Sequence, residues 1–125
     1  MAQIRHQQEM LTDAGADVCL EAANRALDAV RARPEASGQT VAGRVGSYGT
    51  YNMHDCKNHE DLPVSLEVSV DDLGQQRRLT LVAESGWPFD NIAERVAVQY
   101  EARLPQALAR VHAAITEALT PVGVS

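Results

Sequence analysis

Residues 50–61, TYNMHDCKNHED, gather two of the four histidines and one of the two cysteines of a 125-residue chain. His54, Cys56 and His59 have the spacing H-x-C-x2-H. Zinc accepts both imidazole and thiolate, so these three are the candidate metal ligands, with Asp55, Glu60, Asp61 or a distant histidine as a fourth. The spacing lacks the paired C-x2–4-C and H-x3–5-H units of structural zinc sites. On a strand, residues 54 and 56 share a face and residue 59 points away. Zinc is therefore the cofactor expectation only if the chain turns His59 back towards His54 and Cys56; otherwise no cofactor is expected. A second chemistry is open to the same residues. Histidines beside Cys56 could lower the thiol pKa and supply a base for a cysteine nucleophile. No known nucleophile signature surrounds it. The plainer reading is a polar loop between strands, ended by Pro63, because Asn and Asp favour turns.

Elsewhere the chemistry is sparse. Trp87, Tyr48, Tyr51 and Tyr100 are the candidates for a ligand or interface surface, since aromatic side chains anchor contacts. Trp87 also fits as a plug at the end of the core. Cys19 falls on the buried side of a helical segment and reads as a small core residue. His112 lies off the apolar stripe of the last helix, and His6 stands in the N-terminal segment. Gly43, Gly46 and Gly49 imitate a phosphate loop, but no Lys-Ser/Thr follows them. No two carboxylates are brought together, so acid–base catalysis has no candidate dyad. The balance leans away from an enzyme.

Composition narrows the partners. The formal charge is −6, and Lys and Arg form no run. Nucleic acid requires a positive footprint and is excluded as an expectation. No apolar run approaches the ~20 residues of a membrane span. The start MAQIRHQQEM has no apolar h-region, so two reduced thiols and a cytoplasmic location are expected. The five aromatic residues leave the core to Val, Leu, Ile and Ala.

The elements that must position these residues read as follows. Residues 13–33 form an amphipathic helix, with Ala16, Leu20, Ala23, Leu27 and Val30 at helical spacing. Thr12 or Asp13 is the expected N-cap, and Pro34 the stop. Residues 1–11 are expected to be flexible or to extend that helix. PEASG, 34–38, is a connector, and 39–53 a strand loosened by glycine at a sheet edge. Residues 64–84 carry the clearest pattern. Val64, Leu66, Val68 and Val70 alternate with polar residues, as do Leu79, Leu81 and Ala83. A two-residue Gly74–Gln75 turn pairs Val70 with Leu79, Asp71 with Arg78 and Asp72 with Arg77. From Ile92 to Leu119 a helix follows, which Pro105 is expected to kink or split. TPVGVS is a tail.

The expectation is one α+β domain over residues 1–125. It has an N-terminal helix, a three-stranded antiparallel meander and a long Pro-interrupted C-terminal helix, both helices on one face of the sheet. The expected function is a small acidic, non-enzymatic binding or assembly module, a homodimer or the partner of another protein. The alternatives are a zinc-binding protein or small hydrolase using His54, Cys56 and His59, and a small-molecule pocket closed by Trp87.

Overall fold

A computed structural model describes residues 3–119. The elements are β1 (Arg5–Thr12), α1 (Ala16–Ala29), β2 (Glu35–Ser37), β3 (Thr40–Val45), α2 (Tyr48–Met53), β4 (Val64–Asp72), β5 (Arg77–Ser85) and α3 (Glu94–Leu119). The fold is α+β, with one antiparallel sheet in the order β1-β5-β4-β3-β2.

The β4–β5 hairpin has the register that its turn and alternation dictate. Val70 faces Leu79, Val68 faces Leu81 and Leu66 faces Ala83. Gly74 takes φ +98° at the turn, where a side chain would be strained. Leu73 N–H donates to Gln76 O at 2.8 Å to close it. Asp71–Arg78 forms an ion pair of 3.3 Å on the polar face, and Asp72–Arg77 one of 3.6 Å on the face of Val70 and Leu79, at the turn end of the hairpin.

The sheet has five strands, not three. β1 occupies the segment read as flexible or helical. His6, Met10 and Thr12 on one side of β1 are half-buried and the other side is exposed, but Met10 is the one apolar residue on the half-buried side, so RHQQEMLT carries no apolar alternation to read. Its state is decided by the ladder that β5 offers, from Glu84 opposite Arg5 to Arg77 opposite Thr12. β2 lies in the expected connector PEASG and is fully exposed, again with no periodicity to read. The expected strand 39–53 ends at Val45 and lies inside the sheet, between β4 and β2. Gly46, at φ +70°, turns the chain, and Ser47 then caps α2.

α1 is shorter than its periodicity. Gly15 takes the N-cap position without a side-chain bond, while Thr12 Oγ1 accepts from Ala14 N–H at 3.2 Å. The helix ends four residues before Arg33. Ala32 N–H donates to Leu27 O and Arg31 N–H to Asp28 O, a Schellman closure that puts Arg31 at φ 62°. Cys19, Ala22, Ala23, Ala26 and Leu27 are buried. Their small side chains let α1 approach α3, and α1 also packs on β3 and β4, while α3 packs on β5 and β1.

Pro105 does not split α3, which runs unbroken from Glu94 to Leu119. Pro105 is exposed, and Leu104, Ala107 and Leu108 around it are buried and hold both halves against the core. The tail TPVGVS lies outside the described residues. No helix among the described residues is long and apolar enough to cross a membrane.

Candidate functional site

The segment 50–61 is built as a cap over α3. Ser47 Oγ accepts from Thr50 N–H at 3.1 Å and starts α2. Asp55 and Cys56 follow in the left-handed region, both at φ 57°, and reverse the chain. Asn58 Oδ1 accepts from Glu60 N–H at 3.1 Å and caps a 3-10 turn at His59–Asp61. Three bonds tie the segment and its exit to α3. Tyr51 Oη donates to Gln99 Oε1 at 2.8 Å, Gln99 Nε2 donates to Cys56 O at 3.2 Å, and Tyr100 Oη donates to Pro63 O at 2.8 Å. Glu60 and Arg110 add an exposed ion pair of 3.5 Å.

His54 and Cys56 take different partners, and His59 opens the 3-10 turn. His54 Nδ1 meets the Asp61 carboxylate. Cys56 Sγ donates to Asn52 Oδ1 at 3.8 Å, rather than meeting either histidine. Among the described residues no group of three His, Cys, Asp or Glu side chains is placed to hold a metal ion. An Asp-oriented histidine is half of a catalytic triad. Its other half is missing, because no hydroxyl or thiol bonds to His54 among the described residues. The other two histidines stand apart, with His6 3.6 Å from Glu101 and His112 half-buried on α3.

Trp87, Tyr48, Tyr51 and Tyr100 are brought together. Trp87 meets Tyr48, Tyr51 and Tyr100 edge to face at 5.3, 6.0 and 6.3 Å between centroids. Phe89 completes the group, at 5.0 Å from Tyr48 and 5.7 Å from Trp87. All five aromatic residues of the chain thus sit where α2, the 86–90 loop and α3 converge. Tyr51 and Tyr100 are buried; Tyr48 and Trp87 are half-buried, and Phe89 is 50% exposed. Each edge-to-face pair contributes roughly 0.5–1.5 kcal/mol beyond its buried area. Nothing in the spacing 48, 51, 87, 89, 100 predicts the convergence.

The glycines at 43 and 46 serve close backbone approach, not phosphate. A Cβ at Gly43 would lie 2.4 Å from Ala32 O, and one at Gly46 2.3 Å from Leu62 O. Arg44 N–H donates to Ala32 O at 2.8 Å and docks the 30–33 turn on β3. Arg31, Arg33 and Arg44 then line an open groove of ≈ 970 Å³ with Glu35, Glu67 and Glu84. Its charges are mixed and select neither sign of ligand.

Arg103 was not among the sequence candidates. It is 5% exposed and stands within the buried stripe of α3, between Tyr100 and Ala107. The signal was available, since 103 lies at helical spacing from 96, 100, 107 and 111, and an arginine there breaks an apolar face. It lines a cavity of ≈ 40 Å³ with Arg110, Val30, Val45, Leu66 and Ala107. Burial holds its guanidinium below the usual arginine range. Arg110 pushes the same way, while Glu60, Tyr100 and Asp61 offset part of the effect. No protein-family model, curated protein or solved structure matches this chain.

Proposed function

We propose that this chain is a non-enzymatic assembly module that acts through protein–protein contact as a homodimer joined along β1. The outer edge of β1, unpaired among the described residues, carries the proposal. The strand pairs with β5 through eight residues without a bulge and contains no proline, so its outer edge lacks those two usual blocks to pairing. Ile4 O accepts from Ser85 N–H, which turns the even-numbered peptide groups towards β5. By alternation, those of Arg5, Gln7, Glu9 and Leu11 face the free edge. A second copy placed antiparallel about a two-fold axis at Gln7 brings Arg5 opposite Glu9 of the partner subunit, and the reverse. Such opposite-charge pairs contribute roughly 0.2–1 kcal/mol each. At the other end of the sheet β2 has three residues, too short to rival β1.

On this reading both helices lie on one face of the sheet and the dimer extends the sheet to ten strands. The half-exposed Tyr48, Trp87 and Phe89 are the surface left for another protein, and Tyr51 and Tyr100 hold it in place from beneath. Cys19 and Cys56 are free thiols, in keeping with a cytoplasmic location. Zinc binding through His54, Cys56 and His59 is the alternative. The carboxylate of Asp61 on His54 is of the kind that orients metal-bound imidazoles.

Native mass spectrometry of untreated protein tests both. The expected mass is twice 13.5 kDa at about 10 μM chain, without metal. Arg5→Glu and Glu9→Arg should each weaken the dimer, and the two together should restore it. Gln7→Pro, which removes an N–H facing the free edge, should give monomer. A wild-type monomer, or a dimer indifferent to all three changes, would sink the β1 assignment. A zinc-loaded chain would favour the alternative.

A further inference from the structure

Arg103 is a 5% exposed cation beside a largely apolar cavity, and its buried Nε has no acceptor. None of the ion pairs among the described residues includes it. The acids nearest in the fold are already engaged: Glu60 pairs with Arg110, and Asp61 with His54. A buried unpaired charge is costly, so such groups are usually neutralised or paired. The cavity beside it carries two guanidinium groups, Arg103 and Arg110, and four apolar side chains, Val30, Val45, Leu66 and Ala107. Both arginines come from α3, seven residues apart, on one side of the helix.

We propose that this cavity binds a small aliphatic carboxylate, with Arg103 pairing the carboxylate at the base and Arg110 at the rim. Three features select that ligand. The guanidinium fork matches a planar carboxylate better than a spherical anion. The apolar walls suit a methyl or methylene group and would leave the outer oxygens of a phosphate without donors. The volume of ≈ 40 Å³ is that of about three ordered waters, which limits the enclosed part to the size of acetate. Val30 and Arg110 also line a wider cleft of ≈ 440 Å³ with Ala113, Ala114 and Glu117, which is where a short tail would extend. For a ligand of about four heavy atoms the best attainable Kd is on the order of 0.05 mM, and a millimolar value is the ordinary case.

The test is titration of the full chain with sodium acetate and sodium butyrate, read by NMR at the Arg103 Nε–H. Sodium chloride at equal ionic strength and butanol serve as controls. The expected result is a saturable shift with both carboxylates and none with chloride or butanol. Arg103→Met should abolish saturation while folding normally, since it replaces an unpaired charge by an apolar chain of similar length; its titration is followed at the Ala107 amide. Arg110→Gln, at the exposed rim, should weaken binding severalfold with the core untouched. No saturation by either carboxylate up to about 50 mM, where even weak sites fill, would overturn the proposal. So would saturation by chloride, which would mean a general anion site, or unchanged acetate binding in Arg103→Met. A peptide ending in Ala-Ala that bound more tightly than butyrate would overturn the small-molecule assignment in favour of a chain terminus.

Discussion

Gly43 is the residue whose identity the fold constrains most visibly. A methyl group there meets the Ala32 carbonyl, which is backbone and already accepts from Arg44 N–H. Gly43→Ala must therefore move the 30–33 turn away from β3, at about 1–3 kcal/mol. The expected measurement is a lower urea midpoint with an unchanged slope. Gly49 in α2 has open space around its Cβ position. Gly49→Ala should be neutral or stabilising by up to about 1 kcal/mol. A Gly43→Ala protein as stable as Gly49→Ala would contradict the close approach. The glycine spacing 43, 46, 49 was legible in the sequence, but its cause was not. What surrounds Gly43 and Gly46 comes from Ala32 and Leu62, residues outside the local stretch, while Gly49 has nothing close by. The same holds at the candidate site: His54, Cys56 and His59 were legible as chemical types, while the separate partners of His54 and Cys56 depend on the left-handed turn at Asp55 and Cys56.

Legibility among the elements followed burial. β4 buries alternate residues and β5 does so apart from Val82, so their pattern and register could be read directly. α1 and α3 bury one stripe each and were legible for the same reason. β1 and β2 bury little and leave no periodic trace. Pro105 misled because its local preference is strong and its packing context is not visible locally. It removes one N–H from the ladder of α3 and crowds the preceding turn. Packing of Leu104, Ala107 and Leu108 outweighs that cost. Since Pro105 is exposed, Pro105→Ala should restore the bond to Glu101 O without touching the core. The expected gain is about 1–3 kcal/mol, read as a higher midpoint in urea and in heat. A destabilised Pro105→Ala protein would mean that the helix depends on a distortion set by proline.

At the scale of the whole molecule, buried acids of high pKa couple the core to alkaline pH. Burial above all raises the Tyr100 phenol well above the ordinary tyrosine range; Tyr51 beside it adds to the effect and Arg103 opposes it. Tyr51 is raised chiefly by burial and then by Cys56, against its bond to Gln99 and the charge of Arg95. Burial likewise raises the Cys19 thiol, with Arg77 opposing. In the unfolded chain the thiol ionises near 9.0 and the phenols near 10.0. The folded chain keeps all three protonated to higher pH, so the unfolded state loses protons first. Stability is complete below about pH 9 and falls above it, by up to about 1.4 kcal/mol per pH unit for each group that lags. Urea midpoints at about pH 8, 10 and 11 should decline in that order, and Tyr100→Phe should flatten the last step. A midpoint constant to about pH 11 would contradict the burial of these phenols.

By itself the sequence determined the α+β class, the β4–β5 register with its two ion pairs, and the two amphipathic helices. These follow from periodicity and turn chemistry within a few residues of each position. Tertiary structure alone decided that β1 closes the sheet against β5, that five scattered aromatic rings meet at one end of α3, and that Arg103 faces a cavity without an acceptor. Each of these rests on contacts between residues tens of positions apart, where strand pairing and packing outweigh what any local stretch prefers.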